Sequence, residues 1–396
     1  MTPVPDHPRR PPGVFRLWLL RPLAVLLGLG VPCLVLAWGV SRLVGDRVHA
    51  VQYVFWIPTF AFAGVAWVLF AGHAAVRPFA AWRKRRSLLG RRLWIPALAG
   101  CLLLTAWWAG VDWRLHRCLP GAGPAPASGA TVRLAFWNLA SAPHRGFPAR
   151  VEAQGADIAI ISNPNFASRS PLTEELRAAV LGRSAAEPGG FLRAPSTAVA
   201  SRFPILAHAT VRLPPLAAED PESGGRLVYL EFDVSRLGGV GREEPLRVLV
   251  VDMPSNPKLA RREVMERAAA AARSFTGPVF RADAIGRFVA DPRASVAVLD
   301  ADVVVGDFNA PAASPSIRAL VGDRRETFAA AGRGNPGTWR SDRPFWAIDA
   351  AFVGRGWRVV GHRVVGGPMP HPRRDGRVTH WEPHHRLLVV DVAPQP

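Results

Sequence analysis

Three long apolar segments open the chain, and the alternation of apolar and polar residues typical of strands begins only after residue 130. A helix needs roughly 20 apolar residues to cross the hydrocarbon layer of a membrane. Residues 22–40, 51–71 and 93–111 meet this requirement. One such window also fits a buried core helix or a signal peptide. Three in succession, with no small-residue cleavage pattern after the first, predict three transmembrane helices.

The charged residues around these segments predict their orientation. Residues 77–92, between the second and third segments, carry seven Lys and Arg residues and no acid, and the N-terminus adds four arginines. The turn between the first and second segments has Arg42 and Arg47 against Asp46. Because loops rich in Lys and Arg stay in the cytoplasm, we expect an integral protein of the cell membrane with a cytoplasmic N-terminus and an extracytoplasmic C-terminal domain.

The distribution of charge weakens the case for a nucleic-acid partner. The chain has a net charge of +19, of which residues 1–130 carry +12, so residues 131–396 carry +7. A strongly basic globular domain favours nucleic acid, but most of the excess here flanks the membrane segments. Nucleic acid is therefore a partner that charge permits and does not favour.

The cysteines exclude a disulfide framework in the C-terminal domain. Cys33 and Cys101 lie within apolar segments, Cys118 follows the third segment, and residues 119–396 have no cysteine. The domain therefore has no cysteine-based zinc site. Cys118 is either a free thiol or a link between two chains, and the oligomeric state is left open.

After the membrane segments, the pattern predicts a linker and then a layered α+β domain. Residues 119–130 contain Pro, Gly, Ala and Ser without charge or period, which is typical of a linker. Apolar or alternating segments that end in polar residues then predict strands, among them TVRLAFWN, ADIAIIS, RLVYLEF, LRVLVVD and DVVVGD. A helix is predicted to start at Asn256 and Pro257, and a short one at Ser314 or Ser316. Sheets packed in layers with helices outside follow from this order.

Residues 303–320 contain the motif Gly-Asp-Phe-Asn. This segment closely resembles the signature of the endonuclease/exonuclease/phosphatase family. Four companions lie on either side of it in the family's order: a strand ending in Asn138, SRFPI at 201–205, TW followed by the Ile348–Asp349 pair, and His385 before an apolar strand. The resemblance covers about residues 131–393. It implies a four-layer α/β/β/α sandwich of the DNase I-like type, here preceded by three transmembrane helices as in the VanJ-like architecture.

The resemblance also implies roles in metal-dependent hydrolysis of a phosphoester. Asp307 would orient or activate the attacking water and bind the metal, Asn309 would contact the phosphate, and Asn138 would support metal or phosphate. Asp349 would orient His385, the catalytic histidine. The implied cofactor is Mg²⁺ or Mn²⁺, and Mg²⁺ prefers oxygen ligands. The structural alternatives are turn or capping roles for Asn138, Asp307 and Asn309, and a backbone hydrogen bond for Asp349.

Three positions depart from the family's pattern. Asn163 stands where the family has a metal-binding Glu, Asp252 where it has a phosphate-contacting His, and His384 where it has an Asp. All three are still expected to support phosphate or metal, with Asn163 as a metal ligand beside Asp307. Nitrogen ligands from His384 and His385 would favour Zn²⁺, unless this segment is only a polar loop. Because the loss of one electrostatic contributor costs roughly 10²–10³ in rate, we expect a partly degenerate site.

Two hypotheses about function follow. The first is a membrane-anchored, extracytoplasmic, metal-dependent phosphoester hydrolase acting on a lipid-linked phosphate of the cell envelope. The second is a pseudoenzyme whose cleft binds a phosphate-containing ligand or a partner without turnover. A purely structural envelope domain would leave Asn138, Asp307, Asp349 and His385 without a role. Both hypotheses have the lipid bilayer as a partner.

Overall fold

The computed structural model describes residues 13–80, 88–119, 130–140, 146–164, 170–182, 190–215, 224–235, 237, 244–367, 369–372, 378–381 and 383–395. The chain divides into two compact units. The first comprises Met1–Gly45 and Tyr53–Asp112, and the second Asp46–Gln52 and Trp113–Pro396. The predicted linker at 119–130 lies almost wholly outside the described residues.

The first unit is built from long apolar helices. The helices of the N-terminal region are α1 (Gly13–Val44), α2 (His49–Trp56), α3 (Thr59–Ala80) and α4 (Leu88–Trp107). Within the described residues, three segments are long and apolar enough to cross a membrane: Pro22–Arg47, Thr59–Val76 and Arg92–Asp112. Small and apolar side chains of these helices pack together, among them Val31, Ala66 and Leu104, which are fully buried.

The sequence predicted one helix over residues 51–71, but the second apolar segment forms two helices. The helix α2 ends at Trp56 and α3 begins at Thr59, with Pro58 between them. Proline has no N–H, its ring clashes with the carbonyl four residues earlier, and it disfavours helical backbone in the residue before it. Hydrophobicity averaged over a window does not register such a break, so the candidate span begins only at Thr59.

Sixteen strands lie in the described part of the second unit. They are β1 (Val132–Asn138), β2 (Ile158–Ser162), β3 (Gly190–Ala194), β4 (Thr197–Ser201), β5 (Ile205–Arg212), β6 (Arg226–Phe232), β7 (Leu246–Asp252), β8 (Val279–Ala282), β9 (Phe288–Asp291), β10 (Val303–Asp307), β11 (Arg325–Glu326), β12 (Asp349–Val353), β13 (Trp357–Val365), β14 (Met369–Pro372), β15 (Val378–Trp381) and β16 (Leu387–Pro394). The first sheet has the order β13-β16-β1-β2-β4-β3. The second has the order β11-β12-β10-β7-β6-β5-β8-β9, and β14 pairs with β15.

The two large sheets pack face to face, and helices cover their outer faces. The helices of this unit are α5 (Phe147–Glu152), α6 (Pro171–Leu181), α7 (Arg261–Arg273), α8 (Arg318–Val321) and α9 (Thr327–Ala331). Side chains of α5 and α6 share a core with the first sheet, and those of α7 and α8 share one with the second. A third core lies between the sheets. The predicted four-layer α/β/β/α sandwich is therefore confirmed.

Alternation along each strand explains why the buried strands are almost wholly apolar. In β7, Val248 and Val250 face the other sheet, whereas Leu249 and Val251 face the helices. Successive side chains point to opposite faces of a sheet, so a strand covered on both faces needs apolar residues at every position. Asp252 breaks this run where β7 ends.

The helix α7 begins at Arg261 and not at Asn256, where the sequence predicted its start. The Asn256 side chain accepts a hydrogen bond from the N–H of Lys258 at 3.0 Å, and its carbonyl accepts one from the N–H of Leu259 at 3.3 Å. These bonds form a turn before the helix. Asparagine makes turns of this kind as readily as helix caps, which is why the pattern misplaced the boundary.

The connector between α1 and α2 is built into the second unit. The buried carboxylate of Asp46 accepts hydrogen bonds from the N–H of Ser316, at 3.1 Å, and from its hydroxyl. Gln52, also buried, accepts one from the N–H of Arg261 at 2.9 Å and donates one to the carbonyl of Leu259 at 3.2 Å. Residues 46–52 are thus a structural part of the C-terminal unit.

Candidate active site

Acidic side chains of three strands meet at one end of the sandwich. Asp252 ends β7, Asp307 ends β10 and Asp349 begins β12, and the backbone register places Asp307 beside each of the other two. Asn138 ends β1 in the facing sheet. Since β7 runs parallel to β10 and β12 runs antiparallel to it, these strand ends fall at the same edge. Strand register therefore assembles most of the site.

The Gly-Asp-Phe-Asn motif forms the end of β10 and the turn after it. A Cβ atom at Gly306 would lie 2.0 Å from the carbonyl oxygen of Val251, so only glycine allows this approach of β10 to β7. Asn309 has a φ of 47°, a left-handed conformation that asparagine tolerates. Its N–H donates to Asp307 Oδ1 at 2.8 Å, and its Nδ2 donates to the Met253 carbonyl at 2.7 Å. The motif thus holds the Asp307 carboxylate in place.

Asp349 and His385 form a buried pair next to Asp307. His385 Nδ1 lies 2.9 Å from Asp349 Oδ2, and Nε2 lies 3.9 Å from Asp307 Oδ2. The Trp137 ring N–H donates to the His385 carbonyl at 2.9 Å, and the N–H of Asp349 donates to the Thr338 hydroxyl at 3.0 Å. These bonds fix both the ring and its backbone, so Nε2 faces Asp307.

The two carboxylates keep the histidine protonated. Burial alone would lower the pKa of His385, but the charge and hydrogen bond of Asp349 and the charge of Asp307 raise it to about 9. Burial raises the pKa of Asp307, as does the charge of Asp349, and the His385 charge opposes this rise. At neutral pH the protonated ring of His385 therefore lies between the buried side chains of Asp349 and Asp307.

Asn138 and Asn163 connect this pair to Asp252. Asn138 Nδ2 donates to Asp307 Oδ2 at 2.8 Å. Asn163 Nδ2 donates to Asn138 Oδ1 and to Asp252 Oδ1, both at 3.2 Å. Asn163 has a φ of 48° just after β2, and this backbone conformation aims its amide into the site. Burial raises the pKa of Asp252 to about 6, although the Asn163 hydrogen bond and the charge of Arg226 lower it.

Asp307, Asp349 and His385 fit a divalent ion bound through oxygen and nitrogen. Each offers a ligand atom, and these atoms lie within 4.8 Å of one another. Asp349 Oδ1 is buried without a hydrogen-bond partner among the described residues, and a cation would satisfy it. Two carboxylates with one imidazole suit Zn²⁺ or Mn²⁺ better than Mg²⁺. These three residues would hold the ion once Nε2 of His385 is deprotonated.

The structure brings together seven of the eight side chains singled out in the sequence: Asn138, Asn163, Asp252, Asp307, Asn309, Asp349 and His385. His384 is exposed, and its backbone carbonyl accepts a hydrogen bond from the N–H of Ser341 at 3.1 Å. Asn163 turns its amide nitrogen, not its oxygen, toward its neighbours. Its predicted place as a metal ligand beside Asp307 stays a prediction.

Sequence reasoning gave no role to Trp137, Thr338 or Arg226. The Trp137 ring donates a hydrogen bond to the His385 carbonyl far along the chain, and the Thr338 hydroxyl accepts one from the N–H of Asp349. Arg226 reads in the sequence only as the polar start of a strand. A signal for Arg226 existed in the length of β6 and β7, because pairing these strands from their polar ends places it opposite Asp252.

Known structures share features with this chain at low identity. A family protein from Bacteroides thetaiotaomicron is 15% identical, with 67% of this chain and 98% of that chain covered and a TM-score of 0.43. The mannosyl-6-phosphatase of the same organism is 15% identical, with 66% of this chain and 99% of that chain covered and a TM-score of 0.42. A family protein from Leptotrichia buccalis is 11% identical, covering 66% and 99%, with a TM-score of 0.40. No curated protein sequence matches the chain significantly.

The model of the endonuclease/exonuclease/phosphatase family matches residues 135–379, more than half of the chain. This range holds both sheets' central strands and the side chains from Asn138 to Asp349, and its fold is that of phosphoesterases. The match agrees with the four-layer sandwich and with the Gly-Asp-Phe-Asn turn. The chain therefore belongs to the endonuclease/exonuclease/phosphatase family.

Proposed function

We propose that this protein is a membrane-anchored phosphoester hydrolase that uses a divalent metal ion and acts outside the cytoplasm. The observation that carries the proposal is the unbroken set of contacts from Asn138 through Asp307 and His385 to Asp349. These side chains come from both sheets. Burying an imidazolium against the side chains of Asp349 and Asp307 has a high desolvation cost, which a purely structural sandwich end does not need.

The contacts of each residue support a role in the reaction. Asp307, once deprotonated, accepts a hydrogen bond from the attacking water and orients it toward phosphorus. Asp349 fixes the ring of His385, as the orienting carboxylate does in other histidine sites. Asn138 and the backbone N–H of Asn309 each hold one oxygen of Asp307. The carboxylate that orients the attacking water is therefore held in place at both of its oxygens.

A divalent ion held by Asp307, Asp349 and His385 would supply positive charge for the phosphoryl oxygens, where the transition state places negative charge. Family members generally use such ions. The proton of His385 Nε2 and the ion compete for one position. We therefore expect ion binding to release a proton and to strengthen as pH rises toward the His385 pKa of about 9. Asn163 and Asp252 lie beside this position and support phosphate.

We propose a lipid-linked phosphate of the cell envelope as the substrate. Three segments are long and apolar enough to cross a membrane, and the basic residues 77–92 favour a cytoplasmic position for the loop between the second and third. Residues 46–52 and the C-terminal domain then lie on the same side, which agrees with their forming one compact unit. A lipid-linked substrate is concentrated at the membrane where the enzyme is anchored.

The test uses the full chain in detergent, stripped with a chelator. It would be assayed on phosphomonoesters, phosphodiesters, DNA and a polyprenyl phosphate, with Mg²⁺, Mn²⁺ or Zn²⁺. We expect metal-dependent turnover that falls by about 10³-fold or more in Asp307→Asn. The matched control is Asp323→Asn, since the Asp323 side chain is 65% exposed, and it should retain activity. A folded protein that turns over none of these substrates would contradict the hydrolase proposal.

A pseudoenzyme is the second candidate, and the Asn163 amide favours it. Its Nδ2 donates to Asn138 and Asp252, where the family resemblance implies a charged metal ligand. A neutral amide adds no charge to attract Mg²⁺. Phosphate binding to the folded chain that depends on Asn138, without turnover with any of the three metals, would favour this candidate.

The orientation has its own test. Cys118 is exposed and follows the last candidate span. In intact cells a membrane-impermeant maleimide should label Cys118. It should not label Ser87→Cys in a Cys118→Ser background, since residue 87 lies in the basic loop. The opposite labelling pattern would reverse the proposed orientation.

A further inference from the structure

Charged residues form one row across five neighbouring strands at the active-site end of the second sheet. The register pairs Arg212 of β5 with Arg226 of β6, and Arg226 with Asp252 of β7. It then pairs Asp252 with Asp307, and Asp307 with Asp349. Two arginines therefore continue the line of the three aspartates.

All five side chains lie on the face that looks toward the other sheet. In β6, Leu227 packs in the core under α7, and Val228 packs between the sheets. Strand residues alternate between faces, so Arg226 shares the side of Val228. The same alternation places Arg212 opposite in direction to Val211, which packs under α7. The arginines thus lie on the same face of the sheet as Asp307.

Close packing fixes the backbone of Arg226 against β7. A Cβ atom at Gly225 would lie 2.7 Å from the Asp252 carbonyl oxygen and 3.0 Å from Pro254 Cδ, so glycine is needed there. The Gly225 carbonyl accepts a hydrogen bond from the N–H of Leu213 at 3.0 Å. The start of β6 is therefore held between β5 and β7, and Arg226 cannot shift along the row.

The charge of Arg226 is directed to the site, and Asp252 does not exhaust it. Arg226 interacts electrostatically with Asp252, and residues directly opposite in an antiparallel pair have neighbouring side chains. A guanidinium carries five N–H donors, and one carboxylate takes two of them at most. Donors of Arg226 are therefore left to bind an anion beside Asp252.

The spacing of strands places this anion beside the reacting phosphorus. Neighbouring strands lie about 5 Å apart, so Arg226 starts roughly 10 Å and Arg212 roughly 15 Å from Asp307 along the row. An extended arginine side chain covers part of that distance. Arg226 thus reaches a group next to the one that Asp307 serves, and Arg212 reaches its outer side.

We propose that Arg226, with Arg212 behind it, binds a second phosphoryl group of the substrate next to the scissile one. This inference rests on the proposed hydrolase function and narrows its substrate class. Arginine suits the role because its planar fork binds phosphate through two parallel hydrogen bonds. Two linkages supply this chemistry: a diphosphate ester, and a bisphosphate whose phosphates sit on separate carbons.

The test compares the full-length wild type with Arg226→Gln on three substrates that share one alkyl group: a monophosphate, a diphosphate and a bisphosphate. We expect KM for the preferred two-phosphate substrate to rise by about 10–100-fold, with kcat and the monophosphate kinetics little changed. Arg226→Lys should give a KM between those of the wild type and Arg226→Gln, because lysine keeps the positive charge but lacks the planar fork of donors. The matched control is Arg281→Gln, because Arg281 pairs with Asp291 away from the row.

The outcomes separate this inference from the proposed function. An equal effect of Arg226→Gln on the monophosphate and on both two-phosphate substrates would overturn the inference while the hydrolase proposal stands. If the wild type turns over none of them, the hydrolase proposal fails, and calorimetry with inorganic diphosphate decides the subsite. Binding weakened by at least about 10-fold in Arg226→Gln, with phosphate binding unchanged, supports it; unchanged diphosphate binding overturns it. Should Arg226→Gln not fold, Arg226→Lys and Arg212→Gln carry the same comparisons.

Discussion

The two halves of the charged row differ in how completely their side chains are held. Asp307 and Asp349 are almost fully buried, and the buried ring of His385 lies 2.9 Å from Asp349. Asp252 is only partly buried, and its neighbours are the amide of Asn163 and the charge of Arg226. Asp307, Asp349 and His385, the closed half, have the rigid geometry that proton transfer and water orientation require. Asp252 with Asn163 and Arg226, the open half, is more exposed and suits recognition of the substrate.

This difference shows where a phosphoesterase site tolerates change. Replacing a residue in the closed half leaves a buried charge without its partner, which is strongly destabilising. In the open half, Asn163 and Asp252 depart from the family's pattern, yet the Asn163 amide donates a hydrogen bond to Asp252 and the charge of Arg226 stabilises its carboxylate. These two departures therefore lie in the half where another neighbour compensates for them.

The largest expected effect on activity comes from a substitution in the closed half. Asp349→Asn removes a carboxylate that would hold the ion and that fixes the His385 ring, so we expect kcat to fall by roughly 10²–10⁴-fold with KM little changed. Steady-state kinetics of the metal-loaded full chain measure this, with Asp323→Asn as the control. A rise in KM alone would mean that Asp349 serves binding and not chemistry.

The pH dependence of the free energy of unfolding tests the charge interactions in the closed half. Asp349 and Asp307 raise the pKa of His385 in the folded state to about 9, above its unfolded value. A group whose pKa is raised on folding contributes stability that is full below the unfolded pKa and lost as pH rises through the folded one. The free energy of unfolding of the metal-free protein should therefore fall by up to about 3 kcal/mol between pH 6.5 and 9.5.

Denaturant unfolding at several pH values, with chelator present, measures this fall. The reference is His385→Gln, which has no titrating ring at this position and should show a flatter profile over the same range. Parallel profiles for the two proteins would show that His385 is not the group responsible.

Strand register explains how much of the site could be predicted from the sequence. The apolar runs before Asn138, Asp252 and Asp307 indicated buried strands with polar ends, and such ends meet when the strands pair in parallel. The Gly-Asp-Phe-Asn turn needs only local chemistry, because Gly306 and Asn309 adopt or permit backbone positions that other residues disfavour. The layered α+β domain could therefore be predicted from the strand pattern, whereas the four-layer sandwich and the roles of the site residues followed from the family resemblance.

Contacts between distant segments could not be predicted from the sequence. Which of His384 and His385 enters the site depends on the bridge between His385 and Trp339 and on the bond from the Trp137 ring, and no local pattern encodes these. The direction of the Asn163 amide depends on a left-handed backbone at that residue. The break at Pro58 was visible in the sequence, but an average over an apolar window conceals it.

A smaller effect is expected from restoring charge in the open half. Asn163→Glu adds a carboxylate beside Asn138 and Asp252, so we expect the Mg²⁺ concentration for half-maximal activity to fall by about 10-fold. Asn163→Gln has the same length without the charge and serves as the matched control. Metal titration of the hydrolase activity measures both. An equal change in the two variants would assign the effect to side-chain length.

The smallest effect is expected at His384, where the sequence suggested a metal ligand. His384 is exposed, and its backbone carbonyl accepts a hydrogen bond from the N–H of Ser341, whereas the neighbouring His385 is buried against Asp349. His384→Ala should therefore change kcat/KM and the zinc affinity only slightly, because surface substitutions away from such pairs rarely have large effects. His385→Ala is the contrasting variant and should abolish zinc binding. A comparable loss of zinc affinity in His384→Ala would place both rings on the ion, and the closed half would then extend to the surface.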